Sequence, residues 1–133
     1  MLPEQRSRAM ASVGSKDTKY EVLVRSALHC QGFRFRKNDR RYPGSPDILL
    51  PKYRTAIFIN GCFWHGHDNC KKATIPKTRR KFWVAKIAGT RERDTKKRLA
   101  LMEIGFRVLT VWECELNADF RQIVSRLSNE IKN

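Results

Sequence analysis

The sequence predicts an α/β fold in which a mixed β-sheet is flanked by helices. Three observations predict it: helical spacing near both ends and again over residues 78–103, four short strand-like stretches, and no apolar run near the ~20 residues that span a bilayer. At 133 residues the chain fits one compact unit, with room for a core but not for two independent ones. The expected element order is αβββ, an irregular loop, one or two helices, then βα.

Thr18-Lys19-Tyr20-Glu21 has capping-box spacing, in which the Thr18 hydroxyl and the Glu21 carboxylate satisfy backbone N–H groups and open a helix. Tyr20, Leu23, Val24, Ala27 and Cys30 follow at helical spacing as the expected inner stripe, and Gly32 suits a left-handed stop. Residues 1–16 are polar and basic, with Arg6, Arg8 and Lys16 among them, and read as an arm rather than core.

From Phe33 the period changes to two, with Phe33 and Phe35 opposite Arg34 and Arg36, as in a strand with one wet face. A turn-rich stretch through Asn38, Asp39, Pro43, Gly44, Ser45 and Pro46 comes next. Residues 47–50 and 55–59 are short apolar strands joined as a hairpin. Gly61 to Ile75 lacks periodicity and carries two histidines, two cysteines and two large aromatics, which marks a working loop over 61–77.

Helical signals resume over 78–87 and, after Gly89, over 90–103, with Leu99, Met102 and Thr95 as the inner stripe and Gly105 as the stop. Residues 106–112 are apolar on both faces apart from Arg107, which predicts a buried central strand. Asp119 then caps a last helix with Phe120, Ile123, Val124, Leu127 and Ile131 on one face.

Twenty-eight Lys and Arg against thirteen acids give +15, so the expected partner is a polyanion, nucleic acid ahead of an anionic membrane face. The segment from Lys71 to Arg98 holds twelve basic residues against Glu92 and Asp94 alone. Such clustering repels itself, which favours a ligand over mere solubility. The amino terminus lacks the apolar stretch of a secretory signal, so a cytoplasmic protein, associated with DNA, is expected.

In that compartment four cysteines argue for metal rather than disulfides. Cys62, His67 and Cys70 lie within nine residues and Cys114 follows the last strand; three thiolates and one imidazole suit tetrahedral zinc, with His65 competing for the fourth place. The plainer alternative is reduced cysteines that simply pack. Cys30, on the apolar stripe, reads as a buried inert thiol.

Phosphodiester hydrolysis needs a hard cation, an activated water and a route for the leaving oxyanion. Asp47, opening a strand just after a turn, could hold magnesium at the sheet edge, although an Asp there is more often a turn or cap residue. Glu21 could reach the same edge, although its capping role explains it equally. His65 could act as general acid or base with Asp94 orienting it, while Asp94 also has basic neighbours to pair with. Phe63, Trp64 and Trp83 stand among basic residues and could stack on bases, the alternative being burial in the core.

Gly44-Ser45-Pro46-Asp47, Phe58 through His67, Phe82-Trp83, Glu92-Arg93-Asp94 and Val111-Trp112-Glu113-Cys114 together resemble the very short patch repair endonucleases. The likeness includes Arg6 to Met10 and Asp17 to Glu21, and so reaches from the arm to about Leu116; the Gly-Cys-Phe-Trp-His block is its most distinctive part.

The resemblance implies a restriction-endonuclease-like core, a structural zinc, and magnesium-dependent nicking 5′ of the thymine in a T:G mismatch left by deaminated 5-methylcytosine. Carried over, Asp47 and the Ile59 carbonyl resemble the magnesium ligands, Glu21 a carboxylate acting through water, and His65 the histidine working with Asp94. Cys62, His67, Cys70 and Cys114 match the zinc ligands. Phe63, Trp64 and Trp83 match aromatics that enter the duplex, while Arg6, Arg8 and Lys16 of the arm, with Arg79 and Arg80, contact DNA.

There are three departures from the family pattern. Asn60 stands in place of a second active-site histidine, the run Gly66 to Cys70 is one residue longer, and Ile59 replaces a threonine. The expected partner is double-stranded DNA with a T:G mismatch, other repair proteins coming after it, and the expected state is a monomer. The rivals are a related nuclease acting in another lesion or sequence context and a zinc-containing mismatch-binding protein with impaired catalysis.

Overall fold

The computed structural model describes residues 18–68 and 70–133. The arm read at 1–16, with Arg6, Arg8 and Lys16, lies outside them.

Helix α1 (Lys19–Cys30) starts at the predicted cap, where the Thr18 side chain accepts from the Glu21 N–H at 3.4 Å. Its buried face differs from the expected stripe. Glu21, Val24, Arg25 and Leu28 face inward, while Leu23 and Cys30 are exposed, so the thiol read as buried is not. Glu21 and Arg25, one turn apart, form an ion pair at 2.8 Å. That pairing removes the penalty that keeps a lone charge out of the interior, so charged residues can occupy the inner face.

The alternation at 33–36 does not make a strand. Gly32 leaves α1 at φ +91°, the Phe33 N–H bonds back to the Leu28 carbonyl at 3.1 Å, and Phe33 drops into the core. Only Arg36 pairs, as an isolated antiparallel bridge to Leu49.

The predicted hairpin is present. Strands β1 (Ile48–Leu50) and β2 (Thr55–Asn60) pair antiparallel across a 3₁₀ turn at Pro51–Tyr53, with Arg54 in the left-handed region. Strand β3 (Arg107–Trp112) lies parallel to β2, from Thr55 opposite Arg107 to Asn60 opposite Trp112. In the order β1-β2-β3 the central strand is β2, not β3. Among the described residues strand β3 pairs on one side only and buries only Val111 fully, its apolar residues being covered by helices rather than by a further strand.

A parallel pair needs a crossover, and helix α2 (Arg80–Glu103) supplies it. It runs unbroken for 24 residues through Gly89, since one glycine costs about 1 kcal/mol relative to alanine and does not end a well-anchored helix. Its buried residues are Ile87 and Leu101, whereas Leu99 and Met102 are exposed at 56% and 54%, so the expected stripe points outward. Charges occur in nearly every register of this helix, so the apolar spacing of Leu99 and Met102 does not mark its buried face.

Beyond β3 come the short helix α3 (Glu113–Ala118) and helix α4 (Phe120–Lys132), whose cap, Asp119, accepts from the Gln122 N–H at 3.2 Å. Strand alternation divides the core between the sheet faces. Ile48, Leu50, Ile57 and Val111 pack with Val24 and Leu28 of α1 and Leu127 and Ile131 of α4. Leu49 and Ala56 pack on the other side with Leu101 of α2 and Phe106. The result is the expected mixed sheet between helices. Among the described residues no helix is long and apolar enough to cross a membrane.

Candidate active site and metal centre

Asp47 sits just before β1, after the turn in which Gly44 and Ser45 have positive φ. Antiparallel pairing brings it to β2, where its Oδ2 accepts from the Ile59 N–H at 2.7 Å. Burial pushes the Asp47 carboxyl up to about 7; the Ile59 N–H opposes this and the negative charge of Glu21 adds to it. A carboxyl so placed, with a second acid beside it, favours a cation. Hard oxygen donors of this kind fit magnesium.

A cavity of about 210 Å³ joins the predicted residues, since Glu21, Asp47, Ile59, Asn60, His65 and Asp94 all line it. His65 reaches it from a tight turn after β2, in which the His65 N–H bonds to the Gly61 carbonyl and the Gly66 N–H to the Phe63 carbonyl, both at 3.2 Å. Gly66 has φ +59°, and a Cβ there would lie 2.6 Å from Ile87 Cγ2. A residue without a side chain lets the turn lie on α2, which carries Asp94.

The outcome is a His65 Nδ1 to Asp94 Oδ2 contact of 2.5 Å, both side chains about one quarter exposed. With Nδ1 donating to Asp94, Nε2 is left as the accepting nitrogen. Asn60, buried at the end of β2, lies in the same wall.

Beside this site Cys62, His67, Cys70 and Cys114 place their ligand atoms within 4.8 Å of one another. Cys62 and His67 come from the turn after β2, and Cys114 from the start of α3. The His67 ring stacks on Trp112 at 4.1 Å and 9°, and its Nδ1 lies 3.3 Å from the Cys114 sulfur. Burial pushes the Cys62 thiol up to about 12 and raises Cys114 as well, so thiolates here call for a cation. Three soft sulfurs and an imidazole fit zinc, and four protein donors fill a tetrahedral shell.

Phe63, Trp64 and Trp83 form one edge-to-face cluster with centroids 5.3 to 5.8 Å apart. All three are half-buried, a state between the two sequence alternatives. Phe82, quoted beside Trp83 in the sequence analysis without a role, is 42% exposed and joins the cluster 5.1 Å from Trp83 with Arg79 stacked over it at 4.3 Å. Arg79 and Arg80 lie exposed at the start of α2. Arg25, which pairs with Glu21, and Lys97, which lines the 210 Å³ cavity, also escaped notice. For Lys97 the signal was its place three residues after Asp94, on the same helix face.

The family model for "DNA mismatch endonuclease Vsr" matches residues 1–72. The chain is 54% identical over 130 residues to the type II nicking enzyme V.NmeAIP of Neisseria meningitidis, covering 96% of this chain and 92% of that one. It is 46% identical over 129 residues to the type II nicking enzyme V.XorIIP of Xanthomonas oryzae, covering 97% and 93%. With the DNA mismatch endonuclease Vsr of Escherichia coli it shares 44% identity over 111 residues, 84% of this chain and 70% of that one.

Proposed function

The chain belongs to the DNA mismatch endonuclease Vsr family and is a DNA nicking endonuclease; from that premise we propose that it uses magnesium to nick one strand 5′ of the thymine in a T:G mismatch, opening very short patch repair of deaminated 5-methylcytosine. The observation that carries this reading is the convergence of Glu21, Asp47, Asn60, His65 and Asp94 on one cavity, lined also by Trp64 of the aromatic cluster.

Asp47 and the Ile59 carbonyl would hold magnesium, with Glu21 acting through water, and the ion would supply charge neutralisation at the phosphate and a more acidic water. His65 takes the proton of the attacking water on Nε2, and Asp94 holds the ring and stabilises the imidazolium that forms. Asn60 can hydrogen-bond a phosphate oxygen but cannot carry a proton, so proton abstraction falls to His65. Arg25, paired with Glu21 at 2.8 Å, holds that carboxylate in place.

Cys62, His67, Cys70 and Cys114 would hold zinc, which would staple the 61–77 loop to the start of α3, and four protein donors would make it structural rather than catalytic. Residues 1–133 act as a single endonuclease domain and as a monomer, with 1–16 as a DNA-contacting arm. Arg6, Arg8, Lys16, Arg79 and Arg80 give affinity through phosphates, which carry no sequence information. Discrimination comes from Phe63, Trp64 and Trp83 entering beside the mismatch, because a T:G wobble pair costs less to unstack than T:A.

A nicking assay with magnesium on matched T:A and mismatched T:G duplexes tests the reading. Cuts confined to the T:G duplex support it. Equal cutting of both points to a nuclease of another context, and binding without cutting to a mismatch-binding protein.

A further inference from the structure

We propose that Lys97 is a further catalytic residue of this site, its ammonium contacting a non-bridging oxygen of the scissile phosphate; the proposal rests on the nuclease reading above. A second cavity, of about 440 Å³, shares a wall with the 210 Å³ one, and Phe58, Asn60, His65, Asp94 and Lys97 line both. Among the described residues Lys97 is the one Lys or Arg common to the two, and the one that lines the smaller.

Of the other charged groups of that smaller cavity, Glu21 pairs with Arg25, Asp94 pairs with His65 and Asp47 accepts from the Ile59 N–H, whereas Lys97 makes no ion pair among the described residues. A cation left unpaired beside three carboxylates is available to a substrate anion, and Asn60 supplies no charge of its own.

The stem of Lys97 is also held in place. Gly44 has φ +76°, and a Cβ there would lie 2.7 to 2.8 Å from Cβ, Cγ and Cδ of Lys97. Only a residue without a side chain lets the turn before Asp47 lie on this lysine. The contact fixes a flexible side chain ahead of substrate binding, which lowers the entropy lost in reaching the phosphate.

The test is single-turnover nicking of a T:G duplex with saturating magnesium, alongside duplex affinity. Lys97→Met keeps the stem on Gly44 and Lys97→Ala removes it; both should lower the rate about 10²-fold, as loss of one charge-stabilising donor does. Duplex affinity should fall no more than about fivefold, the loss of one phosphate contact. Ethylammonium should restore Lys97→Ala but not Lys97→Met, and ethanol neither. If wild type nicks the T:G duplex and Lys97→Met nicks within about threefold of it, or if the loss lies wholly in affinity, the proposal falls. Failure of the amine to rescue Lys97→Ala assigns the loss to packing on Gly44 and also overturns it. A wild-type chain that nicks no duplex overturns the nuclease reading itself, and this inference with it. If Lys97→Ala does not fold, the rate of Lys97→Met decides.

Discussion

Replacing Asp47 by asparagine should stabilise the fold while abolishing nicking. Burial, with the charge of Glu21 beside it, lifts this carboxyl from 3.8 to about 7. Between about pH 4 and pH 7 the folded state therefore holds a proton that the unfolded chain has released. Stability falls as pH rises through that window and is level above it. At about 1.4 kcal/mol per pKa unit the cost above pH 7 is on the order of 4 kcal/mol. The asparagine amide keeps an acceptor for the Ile59 N–H and has no charge to bury. At roughly 3–5 °C per kcal/mol for a chain of this length, Asp47→Asn should melt roughly 12–20 °C above wild type at pH 8 and near it at pH 4. The assay is a pair of thermal melts across pH in magnesium-free buffer, read as the difference between the two proteins so that other titrating groups cancel. Adding magnesium should raise wild type toward the variant, because an ion bound only by the folded state stabilises it. A variant less stable than wild type at pH 8, or a gap that does not widen from pH 4 to 7, refutes the reasoning.

Three further outcomes are expected. Metal analysis should find one zinc per chain, lost in Cys114→Ser and kept in His65→Ala, which should lose nicking; zinc retained in full by Cys114→Ser would remove that residue from the centre. Trp64→Ala gives up two ring contacts of roughly 0.5–1.5 kcal/mol each, so its melting temperature should drop by a few degrees, while binding to T:G duplex weakens more than to T:A by roughly 1–3 kcal/mol for one stacked base. Equal weakening on both duplexes would make Trp64 a packing residue only. The Arg107 guanidinium donates to the carbonyls of Glu130 and Ile131 at 2.7 and 2.9 Å and to the Thr55 hydroxyl at 3.2 Å. Arg107→Ala should therefore cost about 2–4 kcal/mol in denaturant unfolding and leave nicking below the transition unchanged, since charged hydrogen bonds are worth about 1.5–3 kcal/mol each and are not additive.

Local physics made much of this molecule legible in its sequence. Thr18 and Asp119 cap the helices they were expected to cap, the apolar pair at 47–50 and 55–59 forms the hairpin, and the one-sided pattern of 120–131 buries Ile123, Val124, Leu127 and Ile131. Each of these signals is settled by neighbours within a turn or a hairpin. The net charge and the Gly-Cys-Phe-Trp-His block belong with them, since residue type alone carries their chemistry.

Tertiary structure decided what local pattern cannot hold. Phe33 to Arg36 alternate as a strand does, yet with one bridge to Leu49 they have no ladder to join. Arg25 and Glu21 sit inside because each supplies the other's counter-charge, a fact invisible to a hydrophobic periodicity. Strand β3 reads as central and is an edge among the described residues, because apolar faces tell that something covers them and not whether it is a strand or a helix. His65 meets Asp94 across 29 positions, Cys62 lies 52 positions from Cys114, and Lys97 lies against Gly44 across 53. Spacing along the chain fixes such distances only within one helix or hairpin. Across a crossover they are set by how α2 packs on the sheet, and that packing exists only once the whole fold has formed.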